Sequence, residues 1–123
     1  MRPTLRAFAT LLLTTTALAG WTLFHLELKG SFPAADAALA EAPPEIWLEF
    51  SVAPDMARTS FSVRGPDGNV ALGTVKAGDK PEVVKAAVTG PMAAGTYTLS
   101  WAGAPVDDHV VRGRFTFTVQ AAR

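Results

Sequence analysis

The residues of this chain whose types suit chemistry stand near its C-terminal end. Asp107, Asp108 and His109 lie together within GTYTLSWAGAPVDDHVVRGRFTFTV, residues 95–119. Asp107 and His109 are two positions apart, so in locally extended chain a carboxylate and an imidazole point to the same side. Asp108, between them, then turns the opposite way, toward solvent. An oxygen donor beside a nitrogen donor can hold a metal ion. The same triplet can also serve as a solvated turn whose aspartates cap backbone amides. The residues by themselves leave both readings open.

What positions the pair is a strand on each side of it. Tyr97, Leu99 and Trp101 recur at period two before it, and Phe115, Phe117 and Val119 do so after it, which gives each strand one buried face. The loop is therefore fixed at both ends.

The rest of the chain reads as short strands and turns. Residues 25–29 (HLELK) alternate Leu26 and Leu28 with polar neighbours, which suits a first strand. Residues 30–44 are rich in Ala and Pro and read as an irregular connection, with at most a helical turn between the prolines. Residues 45–51 (EIWLEFS) form the clearest strand, with Ile46, Leu48 and Phe50 inward and Glu45, Trp47 and Glu49 outward. Trp47 on that wet face invites cover from a loop or a partner. Pro54 ends the strand, and residues 55–58 cross to the next one, 59–64, with Phe61 and Val63 inward. The turn GPDGN, residues 65–69, predicts a hairpin to a strand at 70–75, and 82–88 predicts another. About seven short strands, with turn signals every eight to twelve residues and no 3.6-residue period, predict an all-β fold. Its expected form is an immunoglobulin-like antiparallel β-sandwich with Greek-key connections. Gly95-x-Tyr97 fits the tyrosine corner of such sandwiches.

Composition excludes several functions. The 123 residues are 49% hydrophobic and 18% charged, with eleven basic and eleven acidic side chains. Beyond the first 24 residues, which hold Arg2 and Arg6, nine basic face eleven acidic ones, so no basic face for nucleic acid is indicated. The absence of cysteine rules out disulfides, zinc-thiolate centres and thiol catalysis. No Ser/His/Asp spacing or glycine-rich phosphate loop is present, and no catalytic residue is assigned.

The N-terminus speaks for export. Arg2 and Arg6 precede an uncharged run, and Ala17 and Ala19 have the small-residue spacing that signal peptidase prefers, which gives a mature start at Gly20. The uncharged run continues to Phe24, about 18 residues in all, the lower limit for spanning a bilayer. Residues 1–24 are expected to be a signal peptide or an uncleaved membrane anchor, and residues 25–123 one β-sandwich domain outside the inner membrane.

Six pieces in order resemble the CopC family of periplasmic copper-binding proteins. They are His25, Ser31 with Pro33 and Ala34, residues 42–51, the GPDG turn at 65–68, residues 91–101 and residues 107–119. The resemblance implies one Cu(II) per chain, held by His25, Asp107 and His109, with the α-amine of His25 added if the mature chain begins there. Imidazole and carboxylate donors suit tetragonal Cu(II), which ranks highest among first-row divalent ions for such ligands. Freeing His25 requires a cut after Phe24 rather than after Ala19. Val52 stands where many relatives carry an acidic residue, and Met56 and Met92 are isolated, which disfavours a thioether Cu(I) site.

The function that the resemblance implies is sequestration of Cu(II), or its delivery to an inner-membrane copper transport protein, by a monomer. On this reading the chain touches the membrane only through an uncleaved N-terminal segment. An interaction or assembly module that has lost its metal is the alternative.

Overall fold

The structure is a computed structural model and describes residues 25–121. The expected signal or anchor, residues 1–24, lies outside the described residues, as do 122–123. Among the described residues no helix is long and apolar enough to cross a membrane.

Nine strands occur among the described residues: β1 (Leu28–Phe32), β2 (Ala38–Leu39), β3 (Glu45–Phe50), β4 (Ser60–Gly65), β5 (Gly68–Asn69), β6 (Lys76–Ala77), β7 (Val83–Ala87), β8 (Gly95–Gly103) and β9 (Val111–Val119). They form two sheets, ordered β1-β3-β7-β6 and β2-β9-β8-β4-β5. Neighbours run antiparallel except β2 beside β9. The all-β sandwich expected from the alternation is what the chain adopts. Three of the nine strands are only two residues long, which is how about seven becomes nine.

The inner faces come from period-two positions. On β3, Ile46, Leu48 and Phe50 are buried while Glu45, Trp47 and Glu49 are partly exposed. Phe61 and Val63 of β4, Val84 and Ala86 of β7, Tyr97, Leu99 and Trp101 of β8, and Phe117 and Val119 of β9 complete the core. Burial of each large apolar side chain contributes about 1.5–3 kcal/mol. Across the two sheets Phe50 meets Trp101 edge to face, ring centroids 5.3 Å apart. Within the second sheet Tyr97 stacks on its register partner Phe117 at 5.6 Å. The Tyr97 hydroxyl donates to the Ala93 carbonyl, closing the corner that Gly95-x-Tyr97 predicts.

Three local expectations need correction. The first strand begins at Leu28, because Leu26 is drawn wholly into the core ahead of it. The GPDG turn does close a hairpin, pairing Gly65 with Gly68, but that hairpin ends at Asn69. Residues 70–75 are not a strand. They leave the second sheet for the first, and Leu72 makes only an isolated bridge with Val88. Trp47, expected to be covered by a loop or a partner, is one wall of an open groove of about 280 Å³ whose other side includes Gly78, Asp79 and Lys80.

The far end of β8 breaks the alternation. Trp101, Ala102, Gly103 and Ala104 are all buried in succession. On one side Leu26 and Phe50 close on Gly103, where an added Cβ would stand 3.6 Å from Leu26. A short 3-10 helix, η1 (Met56–Arg58), also lies against the end of β8, and the Asp55 amide donates to the Ala104 carbonyl at 2.7 Å. The loop that follows, residues 104–110, carries the candidate chemistry.

Candidate metal site

His25 and the 104–110 loop come to the same end of the sandwich. Leu26, the next residue after His25, packs at Gly103, one residue before the loop begins. Ser51 at the end of β3 ties down this stretch. Its hydroxyl donates to the His25 carbonyl at 3.2 Å and accepts from the Glu27 amide at 2.9 Å, while its own amide donates to the Glu27 carbonyl at 2.8 Å. The chain at His25 is thus held through its carbonyl by the Ser51 hydroxyl, and the His25 side chain is exposed.

The loop is not extended. Residues 106–108 form a turn, with Asp107 in the left-handed region at φ 68° and the Asp108 amide donating to the Pro105 carbonyl at 3.3 Å. Aspartate tolerates that conformation better than most residues. The turn cancels the alternation on which the same-side placement of Asp107 and His109 depends. Asp108, expected to face solvent on the opposite side, is instead the carboxylate that meets His109. Its Oδ1 lies 3.1 Å from His109 Nδ1 and accepts from the His109 amide at 2.7 Å. Asp107 and the imidazole of His109 both stand exposed, the latter 83% so.

A carboxylate beside one ring nitrogen is a setting common among histidine ligands, whose other nitrogen takes the metal. Among the described residues no three His, Asp or Glu side chains converge into a group that could hold an ion. The fold therefore brings His25, Asp107 and His109 to one end of the molecule without closing them around a point.

Two residues with a part in this end gave no functional signal in the sequence, Asp55 and Arg58. Arg58 donates through Nε to Asp55 Oδ2 at 3.0 Å, through one terminal nitrogen to the Pro105 carbonyl at 2.8 Å, and through the other to the Asp108 carbonyl. Asp55 Oδ1 caps η1 by accepting from the Ala57 amide at 3.0 Å. Arg58 and that amide together hold the Asp55 carboxyl below the usual carboxylate range. The i, i+3 spacing of an acid and a base after Pro54 is the one cue the sequence offers, and it points to a local pair, not to a loop about 50 residues on.

A small sandwich with a histidine-carboxylate loop beside its first strand defines the structural class. The CopC domain model matches residues 28–120, and the chain belongs to the CopC family. It is 31% identical over 117 residues to protein YobA of Escherichia coli strain K12, spanning 92% of this chain and 93% of that one. It is 33% identical over 104 residues to copper resistance protein C of Escherichia coli, covering 78% and 82% of the two chains. Among solved structures, PcoC, a methionine-rich copper resistance protein from Escherichia coli, aligns with a TM-score of 0.71 at 34% identity over 78% of this chain and 99% of its own. CopC from Methylosinus trichosporium OB3b aligns with the same TM-score at 27% identity, covering 80% and 97%.

Proposed function

We propose that this protein is an exported copper-binding protein. On this proposal it holds one Cu(II) through His25, Asp107 and His109, and either sequesters the ion or hands it to an inner-membrane transport partner. The observation that supports the reading is the packing of Leu26, next to His25, at Gly103, just ahead of the 104–110 loop, in a CopC-family sandwich. Copper is cargo here, and holding it requires only donors of the right kind that can be brought together. Exposed imidazole and carboxylate groups on short tethers meet that requirement, and an open site also lets a partner remove the ion.

The methionine richness of PcoC is not shared. Met92 packs against the core and Met56 sits on η1, so thioether ligation of Cu(I) has no cluster to use among the described residues. The donor chemistry favours Cu(II).

The test is a Cu(II) titration of the exported protein followed by electron paramagnetic resonance. Imidazole ligates only when neutral, so protons compete with the metal, and affinity is expected to fall steeply below about pH 6. Binding that is as tight at pH 5 as at pH 7 would remove the histidines from the site, and binding that survives His109→Ala unchanged would remove His109. Absence of any stoichiometric binding would favour the alternative, an interaction module on the same fold, which the open spacing of the three side chains keeps in view.

A further inference from the structure

We infer that Arg58 is a positioning residue for His109. The peptide unit that joins Asp108 to His109 is gripped from both ends. Its carbonyl accepts from the Arg58 guanidinium, and its amide donates to the Asp108 carboxylate at 2.7 Å. A peptide unit is planar, so fixing both its polar groups fixes its orientation and hence the position of the His109 Cα from which the imidazole is carried. The Asp108 carboxylate also stands 3.1 Å from Nδ1 of the same ring. Arg58 holds the start of the turn as well, through the Pro105 carbonyl at 2.8 Å. Asp107, which lies between the two gripped carbonyls, is set by the same clamp.

The guanidinium is suited to this because it is planar, permanently charged and forked. One group can satisfy a carboxylate and two carbonyls at once in a rigid pattern. Its base is firm. Asp55 receives Nε, the Asp55 amide is tied to Ala104, and the Thr59 hydroxyl donates to the Asp55 carbonyl at 2.7 Å, with Thr59 buried. The loop is therefore referred to the β8 end and η1 rather than hanging from its two strands alone. A lysine at this place could reach one acceptor but could not hold three in a plane.

This inference rests on the copper reading for its functional consequence, but its structural half does not need metal. The experiment uses three full-length chains: the unaltered protein, Arg58→Met and Arg58→Lys. Two readouts are made: backbone 15N order parameters of residues 105–110 without metal, and Cu(II) affinity with the paramagnetic spectrum. The expected result is lower order parameters in the loop of Arg58→Met with those of β8 and β9 unchanged. Cu(II) affinity should fall roughly 10- to 100-fold, as for loss of an outer-shell partner, with an altered spectrum and partial recovery in Arg58→Lys. Loop order, affinity and spectrum all unchanged in a folded Arg58→Met would overturn the inference while leaving the copper reading intact. A loosened loop in Arg58→Met together with no Cu(II) binding by the unaltered protein would sustain the clamp and overturn the copper reading instead.

Discussion

Strand β8 and the loop that follows it are built in opposite ways. From Tyr97 to Trp101 every second side chain enters the core, and each residue is matched across to β9 in unbroken register, Tyr97 to Phe117 and Leu99 to Phe115. From Ala104 to Val110 the chain is shaped by bonds from a distant segment, with Arg58 reaching carbonyls 47 and 50 positions later. The strand is specified by local pattern and hydrophobic burial. The loop is specified by a polar side chain placed there by the fold. Stability should reside in the strand and metal affinity in the loop, and substitutions can separate them.

The largest effect on folding is expected from Phe117→Ala, which empties a fully buried ring site stacked on Tyr97. It should lower stability by about 3–5 kcal/mol in urea unfolding, while copper bound per folded molecule stays the same. Gly113→Val comes next. An added Cβ there would stand 2.6 Å from the Trp101 indole, so the overpacked site should lose about 1–3 kcal/mol by the same measurement. An unchanged melt would mean that the ring does not lie over Gly113.

Tyr97→Phe removes the corner bond to Ala93 and should cost about 1 kcal/mol. Burial, with a smaller contribution from Asp67, raises the Tyr97 pKa above its ordinary value near 10. The folded state thus holds the proton more tightly than the unfolded one. The associated stability is complete below about pH 10 and is lost as pH rises toward the raised value. The phenylalanine variant should show a shallower alkaline unfolding limb.

The acid limb probes the loop. The Arg58 hydrogen bond and then the Ala57 amide lower the Asp55 pKa, so the stability linked to it is present above the ordinary carboxylate value and is lost as pH falls through the lowered one. Asp55→Asn should flatten this small acid-side dependence and loosen the loop. The smallest effect on folding is expected from His109→Ala. Its exposed ring should leave stability within about 0.5 kcal/mol of the unaltered protein even as copper binding is lost.

These contrasts also explain what could be read from the sequence. Ile46, Leu48 and Phe50, or Tyr97, Leu99 and Trp101, announce their inner face because strand geometry alternates side chains whatever the surroundings. The turn at residues 65–68 was equally legible from its Gly-Pro-Asp-Gly chemistry. Residues 70–75 misled because a run of small apolar residues after a hairpin turn satisfies strand propensity without naming a partner strand. The D-D-H loop was legible in composition but not in shape. One left-handed residue, Asp107, exchanges the parts of the two aspartates, and nothing adjacent encodes that the guanidinium of Arg58 will arrive to hold the turn.

The claim that matters most is that this end of the molecule holds copper through His25 and the 107–109 loop. Its most direct test is the native intact mass of the exported protein with one equivalent of Cu(II), beside His109→Ala. The expected result is one copper retained by the unaltered chain, with the metal lost in the variant; a start at His25 would add its α-amine to the ligands. An unaltered chain that retains copper no better than His109→Ala does, wherever it begins, would contradict the account.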